Sequence, residues 1–256
     1  MNTASANGMT IAYEFIGEGD PPIVVVPQWF LSSQSMRASA LMRALSAEHR
    51  LLLYDRRGTG ESDKPGPPYS SARDARDLAG LLEALGITEA IVLGHGVRGS
   101  QVAMNYAGHF PQTVRALICL GGTPRWGRGP EWPYGIDENA WDEAFGYLSA
   151  TEDPPPGASI AMKQDWEATG RAAARDILER THTEDLRHFL PKVVAPTLVI
   201  HMKGDELVPF EAARWLAESL PNGVLEEFDA PREIPLRAHE ELARHIEEFL
   251  RVAPRD

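Results

Sequence analysis

AIVLGHGVRGS, residues 90–100, carries the reading of the fold. Ala90, Ile91, Val92 and Leu93 form a strand-length apolar run, Gly94, Gly96 and Gly99 break it, and residues 100–109 (SQVAMNYAGH) continue at helical spacing. Runs of the same kind recur along the chain: Ile23–Val26 (IVVV), Leu51–Tyr54 (LLLY), 116–120 (ALICL) and 197–201 (TLVIH), each bounded by Gly, Pro or Asp. Strands this uniformly apolar are covered on both faces, as in a parallel sheet. Helix-like segments separate them at 36–48, 71–85, 211–219 and 239–252. In 71–85, Leu78, Leu81, Leu82 and Leu85 share one face, with Asp74 and Asp77 in the first turn. The alternation predicts an open α/β sheet with right-handed crossovers, and Met9–Ile16 predicts an antiparallel edge hairpin.

One stretch breaks this rhythm. Residues 123–190 contain no convincing strand but hold four of the six tryptophans (Trp126, Trp132, Trp141, Trp166), with Tyr134, Phe145 and Tyr147. Pro154–Pro156 interrupts it, and helix-like pieces follow at 159–169 and 171–180. The expectation is a core of residues 1–122 and 191–256 carrying a helical lid inserted at 123–190.

Composition narrows the function classes. With 256 residues, one large core is affordable, burying roughly 70–75% of the unfolded chain's surface. A net charge of −12 argues against nucleic acid or an anionic membrane as partner. The single cysteine, Cys119, cannot form an internal disulfide. No apolar run reaches a membrane span, and residues 1–10 do not read as a signal peptide. The expectation is a cytoplasmic protein whose partner is a small molecule, with a homodimer left open. No His/Cys/Asp cluster has metal spacing and no nucleotide-binding glycine pattern occurs, so neither a metal nor a cofactor is expected.

Three further motifs accompany GHGVRG (94–99): VVVPQW at 24–29, DRRGTGESD at 55–63 and PTLVIHMKGDELVP at 196–209. In this order and spacing they resemble the α/β-hydrolase superfamily from about Gly8 to Leu250. The resemblance implies a mostly parallel sheet with helices on both faces and a small helical lid. It also implies a nucleophile on the sharp turn after the strand at 90–93, with an acid and a histidine on later loops.

The chemistry departs from that pattern. The nucleophile's place in GHGVRG falls on Gly96, which has no attacking atom, and Arg98 stands where a small residue is usual. Ser100 lies one helical turn on and points elsewhere. Asp205 matches the acid. The histidine's place falls on Glu233 when the loop is anchored on Ile234-Pro235, and on Arg232 when it slides by one; His239 reads as a solvated helix-end residue. Loss of triad members leaves only about 10³–10⁴-fold acceleration over water, so Ser-His-Asp ester hydrolysis is not expected.

The residues left suggest acid/base and oxyanion chemistry. Glu233 facing Asp205 would form a carboxylate pair with split pKa values; the competing reading turns Glu233 outward into an ion pair with an arginine. Backbone N–H groups of Val97 and Gln28 would polarise a carbonyl. Loss of a side chain at Gly96 would open space walled by Trp29, Phe30, His95 and Arg98, with lid aromatics Trp126 and Trp132 opposite. The main expectation is a non-hydrolytic enzyme — a cyclase, lyase or isomerase acting on a small apolar oxygenated metabolite, as in secondary-metabolite biosynthesis. The alternatives are a ligand-binding or regulatory pseudo-hydrolase and a hydrolase using water activated by Glu233. Asp55, Arg57, Gly58, Gly60 and Ser62 read as a structural turn.

Overall fold

The computed structural model describes residues 1–137, 139, 160–205, 207–231 and 236–253. Trp141, Phe145, Tyr147, Pro154–Pro156, Arg232 and Glu233 lie outside the described residues.

Eight strands form one sheet: β1 (Asn2–Ala6), β2 (Met9–Ile16), β3 (Ile23–Val26), β4 (Leu51–Tyr54), β5 (Ala90–His95), β6 (Val114–Leu120), β7 (Thr197–Gly204) and β8 (Gly223–Pro231). Their order is β1-β2-β4-β3-β5-β6-β7-β8. β2 pairs antiparallel with β1 and β4, and the other pairs are parallel. The helices are α1 (Ser33–Ala38), α2 (Ala40–Leu45), α3 (Ser71–Ala84), α4 (Gly96–His109), α5 (Ile160–Thr169), α6 (Arg171–Thr183), α7 (Phe210–Ser219) and α8 (Leu236–Val252).

The apolar runs are strands because both their faces are buried. Val24, Val26, Leu52, Val92, Leu117, Cys119 and Val199 pack to one side with Leu78, Leu81 and Leu82 of α3 and Val102, Ala103 and Tyr106 of α4. Alternate residues Ile23, Val25, Leu51, Leu53, Ile91, Leu93, Ile118 and Ile200 pack to the other, against Met42 and Leu45 of α2 and Leu242, Ile246 and Leu250 of α8. No helix of the described residues is long and apolar enough to cross a membrane.

Three expectations shift. The helix expected at 36–48 is split, because Ser39 takes an extended conformation (φ −70°, ψ 147°) and its hydroxyl accepts the N–H of Met42 as an N-cap. Met9–Ile16 is the second arm of an antiparallel pair whose first arm, β1, has no apolar signature. Asp74 and Asp77, read as charges of a helix's first turn, are buried. Asp74 accepts from Arg56 (2.7 Å) and Arg98 (3.0 Å), and Asp77 takes the Arg57 guanidinium at 2.5 and 2.8 Å.

Parallel strand order places the carboxyl ends of β3, β5, β6 and β7 along one crest. Where strand order reverses in such a sheet, loops part and a ligand can enter.

Candidate active site

The crest is built around the junction of β5 and α4. Gly96 is the first residue of α4 and has φ +66°, a left-handed value that strains any L side chain. His95 precedes it as N-cap, partly exposed, and its side chain makes no capping hydrogen bond. The helix can start this abruptly because Gly99 lies against the Val26 carbonyl, where a Cβ would clash.

The space beside Gly96 is filled. A Cβ at position 96 would stand 2.5 Å from Cδ, 2.6 Å from Nε2 and 2.8 Å from Oε1 of Gln28. Gln28, buried at the start of the loop after β3, accepts the backbone N–H of Arg98 on Oε1 at 2.7 Å. One of the N–H groups that a helix leaves unpaired in its first turn is thereby satisfied by a side chain from across the sheet. The open volume expected from the missing side chain at 96 is thus occupied, because the carboxamide closes over the glycine.

Arg98 does not line the crest as expected. Its side chain is fully buried beneath α4, where it donates to Asp74 (3.0 Å), to Glu184 (3.1 Å) and to the carbonyl of Tyr69. A guanidinium with three acceptors underneath is a structural group. It ties α4 to α3 and to Glu184, the C-cap of α6.

Val97 starts an aromatic cluster with Phe30, Trp126, Trp132 and Trp166. The Trp126 ring stands 5.5 Å from that of Trp29, and Phe30 meets Trp166 edge-on at 5.1 Å. Both tryptophans expected opposite the elbow use their indole N–H internally: Trp126 donates to Leu207 O and Trp132 to Arg125 O. Trp29 is only partly buried, holds φ +37°, and its Nε1 has no partner among the described residues. A bulky residue at positive φ is an outlier that the surrounding packing must hold in place.

Asp205 follows β7. Its Oδ1 accepts from the N–H groups of Leu207 (2.8 Å) and Val208 (3.2 Å), while Oδ2 lies 4.0 Å from the Cβ position of Gly121 at the end of β6. The carboxylate is therefore oriented, with one oxygen bound by its own loop and the other toward the crest. Its expected partner, Glu233, lies outside the described residues. His201 pins the same loop: its Nε2 donates to Val208 O at 2.7 Å, and burial holds its pKa below the usual imidazole range, against the opposing pull of that hydrogen bond and of Asp205. His239 differs from expectation, being partly buried with an Nδ1 shielded from solvent and unbonded among the described residues.

Ser100 donates to Gly94 O at 3.1 Å, fully buried and away from the crest. Asp55 accepts from Ser33 N (2.6 Å) and Glu61 N (2.8 Å), so the 55–63 turn binds neighbouring loops. Asp74 and Asp77, legible in sequence only as first-turn charges, and Glu184, not legible at all, are the acceptors of the buried arginines. An i, i+3 aspartate pair following a DRR turn was the available signal.

The family described as alpha/beta hydrolase fold matches residues 21–152. The chain is 31% identical to a pimeloyl-[acyl-carrier protein] methyl ester esterase of Aromatoleum aromaticum, over 90% of this chain and 98% of that protein. It is 30% identical to a putative carbamate hydrolase, RutD, of Azorhizobium caulinodans, over 90% of each. An esterase of Exiguobacterium antarcticum superposes with a TM-score of 0.79 at 26% identity, over 97% of this chain and 98% of that one. These relatives overturn the expectation of a non-hydrolytic cyclase, lyase or isomerase. Chains similar over nearly their whole length are esterases and hydrolases, and none of these names describes a lyase, isomerase or cyclase.

Proposed function

The chain belongs to the α/β-hydrolase fold family, and from that premise we propose that it hydrolyses small carboxylic esters or carbamates without a covalent intermediate on the elbow. The triad in this reading is degenerate: Gly96 stands in the nucleophile's place, Glu233 in the histidine's, and Asp205 is the acid kept. The observation that carries the reading is Gly96 itself, which has no side-chain atom to bond an acyl group and over which the Gln28 carboxamide lies. The hydrolytic direction is supported by the methyl ester esterase and carbamate hydrolase among the relatives.

The chemistry follows from the groups at hand. A substrate carbonyl sits at the amino end of α4, where the N–H of Val97 and the helix dipole favour developing negative charge. Glu233, ionised, takes a proton from water as the water oxygen bonds to the carbonyl carbon. The tetrahedral oxyanion then collapses, the bond to the leaving oxygen breaks, and that oxygen recovers the proton from Glu233. Acid and alcohol are released and the carboxylate is restored. Asp205 orients this step from its backbone-bound position. General-base help of this kind contributes about 10²–10⁴-fold, so turnover should be slow beside a serine esterase. A small-molecule partner and a cytoplasmic setting accompany the reading, the latter supported by the lone, buried Cys119.

The test is a panel of p-nitrophenyl and methyl esters with purified protein, followed for a pre-steady-state burst and for sensitivity to phenylmethylsulfonyl fluoride. Slow turnover without burst, indifferent to the sulfonyl fluoride and lowered at least 100-fold by Glu233→Gln, is the expected result. An acyl-enzyme seen by intact mass, or no turnover of any ester, overturns it. The Gln28 contact also favours a second reading, a ligand-binding protein whose elbow is occupied by its own side chain; that reading predicts ligand affinity without turnover.

A further inference from the structure

We infer that the side-chain amide of Gln28 is an oxyanion donor in its own right: its Nε2 hydrogens, held over Gly96, donate to the carbonyl oxygen of a bound ester and to the carboxylate of its acid product. The inference deepens the hydrolytic reading and rests on it.

The orientation of the carboxamide is fixed by chemistry. Gln28 is 6% exposed, so its side chain is held by its surroundings. The Arg98 backbone N–H is a donor, and only the carboxamide oxygen can accept it at 2.7 Å. Nε2 therefore lies on the other branch, 2.6 Å from the point where a side chain at 96 would begin. Among the described residues no acceptor takes its two hydrogens. With its oxygen bound to the helix, the amide keeps Nε2 within reach of solvent, where it can exchange water for the acceptor oxygen of a ligand. Accepting from a helix N-terminal N–H also polarises the amide and strengthens its N–H groups as donors.

The ligand class follows. The group recognised directly over Gly96 must offer an acceptor oxygen, as an ester carbonyl or a carboxylate does, because Nε2 of Gln28 and the N–H of Val97 are donors. The glycine at 96 and the glutamine at 28 are complementary: the donor occupies the volume that the nucleophile would have used, so the same residue pair removes covalent catalysis and supplies an oxyanion contact.

Two variants and one resonance test this. Gln28→Glu keeps an oxygen for the Arg98 N–H and loses both Nε2 hydrogens; Gln28→Met removes the polar group without adding charge. Each should lower kcat/KM for p-nitrophenyl butyrate by about 10²–10³-fold, chiefly through kcat, since a donor aimed at the transition state is removed. In the ¹⁵N-labelled wild type, the Gln28 side-chain amide resonance, assigned by its disappearance in Gln28→Glu, should shift on titration with sodium butyrate. This readout needs no variant to be active. Undiminished ester turnover in both variants, with a resonance indifferent to butyrate, overturns the donor and leaves the hydrolytic reading standing. A butyrate-dependent shift with no ester turnover does the reverse, and neither turnover nor shift overturns both.

Discussion

Gln28 and Gly96 share one volume: Cδ of the glutamine lies 2.5 Å from where the glycine's Cβ would be, and the carboxamide oxygen is spent on the helix that Gly96 begins. A side chain returned to position 96 must first displace that carboxamide from the Arg98 N–H.

Gly96→Ser should therefore lower the melting temperature and gain nothing. An L residue held in the left-handed region costs about 1–2 kcal/mol, and displacing the Gln28 carboxamide from the Arg98 N–H adds roughly 0.5–1.5 kcal/mol. Adding Gln28→Gly removes the second cost and leaves the first. The triple variant Gly96→Ser, Gln28→Gly, Glu233→His should be labelled by phenylmethylsulfonyl fluoride, as judged by intact mass. A folded triple variant that takes no label would show that position 96 is not where the attacking atom belongs.

Beneath the elbow, the stability of α4 depends on Asp74. Its carboxylate faces Arg56 and Arg98, all three side chains without solvent exposure. Asp74→Ala leaves two buried guanidinium groups short of a counter-charge and should cost about 3–5 kcal/mol in urea unfolding. The exposed pair Arg175–Glu179 is the control: Glu179→Ala should fall within about 0.5 kcal/mol of wild type, because surface pairs are screened. Equal effects in the two variants would mean that the buried network contributes little.

How far the sequence could be read depends on whether the cause of a feature is local. The strands at Ile23–Val26 and Leu51–Tyr54 announce themselves because burial on both faces leaves no polar position in the run. Gly96 was legible as a turn residue for the same local reason. Gln28 was legible only as a polar intruder in the loop after β3; that its side chain would cap α4 depends on two loops 70 residues apart meeting at the crest. Arg98 was misplaced because a cation beside an elbow suggests a ligand, whereas its acceptors, Asp74 and Glu184, come from distant parts of the chain. The break at Ser39 was hidden because serine both interrupts a helix and caps the next one.

Cys119 gives a clean probe of global opening. It is fully buried near the carboxyl end of β6, and burial pushes its thiol up to about 12. The thiolate is the reactive form, so native protein at pH 8 should resist Ellman's reagent and label only as fast as it unfolds. Urea should accelerate labelling in step with the loss of helical signal. Rapid labelling of the folded protein would mean that β6 opens locally, contrary to its central place in the sheet.

His201 predicts an acid limit to the loop that carries Asp205. Burial depresses its folded-state pKa, and the hydrogen bond to the Val208 carbonyl and the nearby Asp205 charge only partly offset this. A histidine whose pKa is lower folded than unfolded is neutral in both states above about pH 6.5. Below that value the unfolded chain takes up the proton first, so stability falls as pH drops toward and through the folded-state pKa. In NMR titration the His201 ring signals should turn over below pH 6.5. The melting temperature of the wild type should drop more steeply from pH 6.5 to 5 than that of His201→Asn, whose side chain does not titrate. A His201 that titrates above 6.5, or an acid-side slope unchanged by the substitution, would remove this histidine as the element that makes the Asp205 loop sensitive to acid.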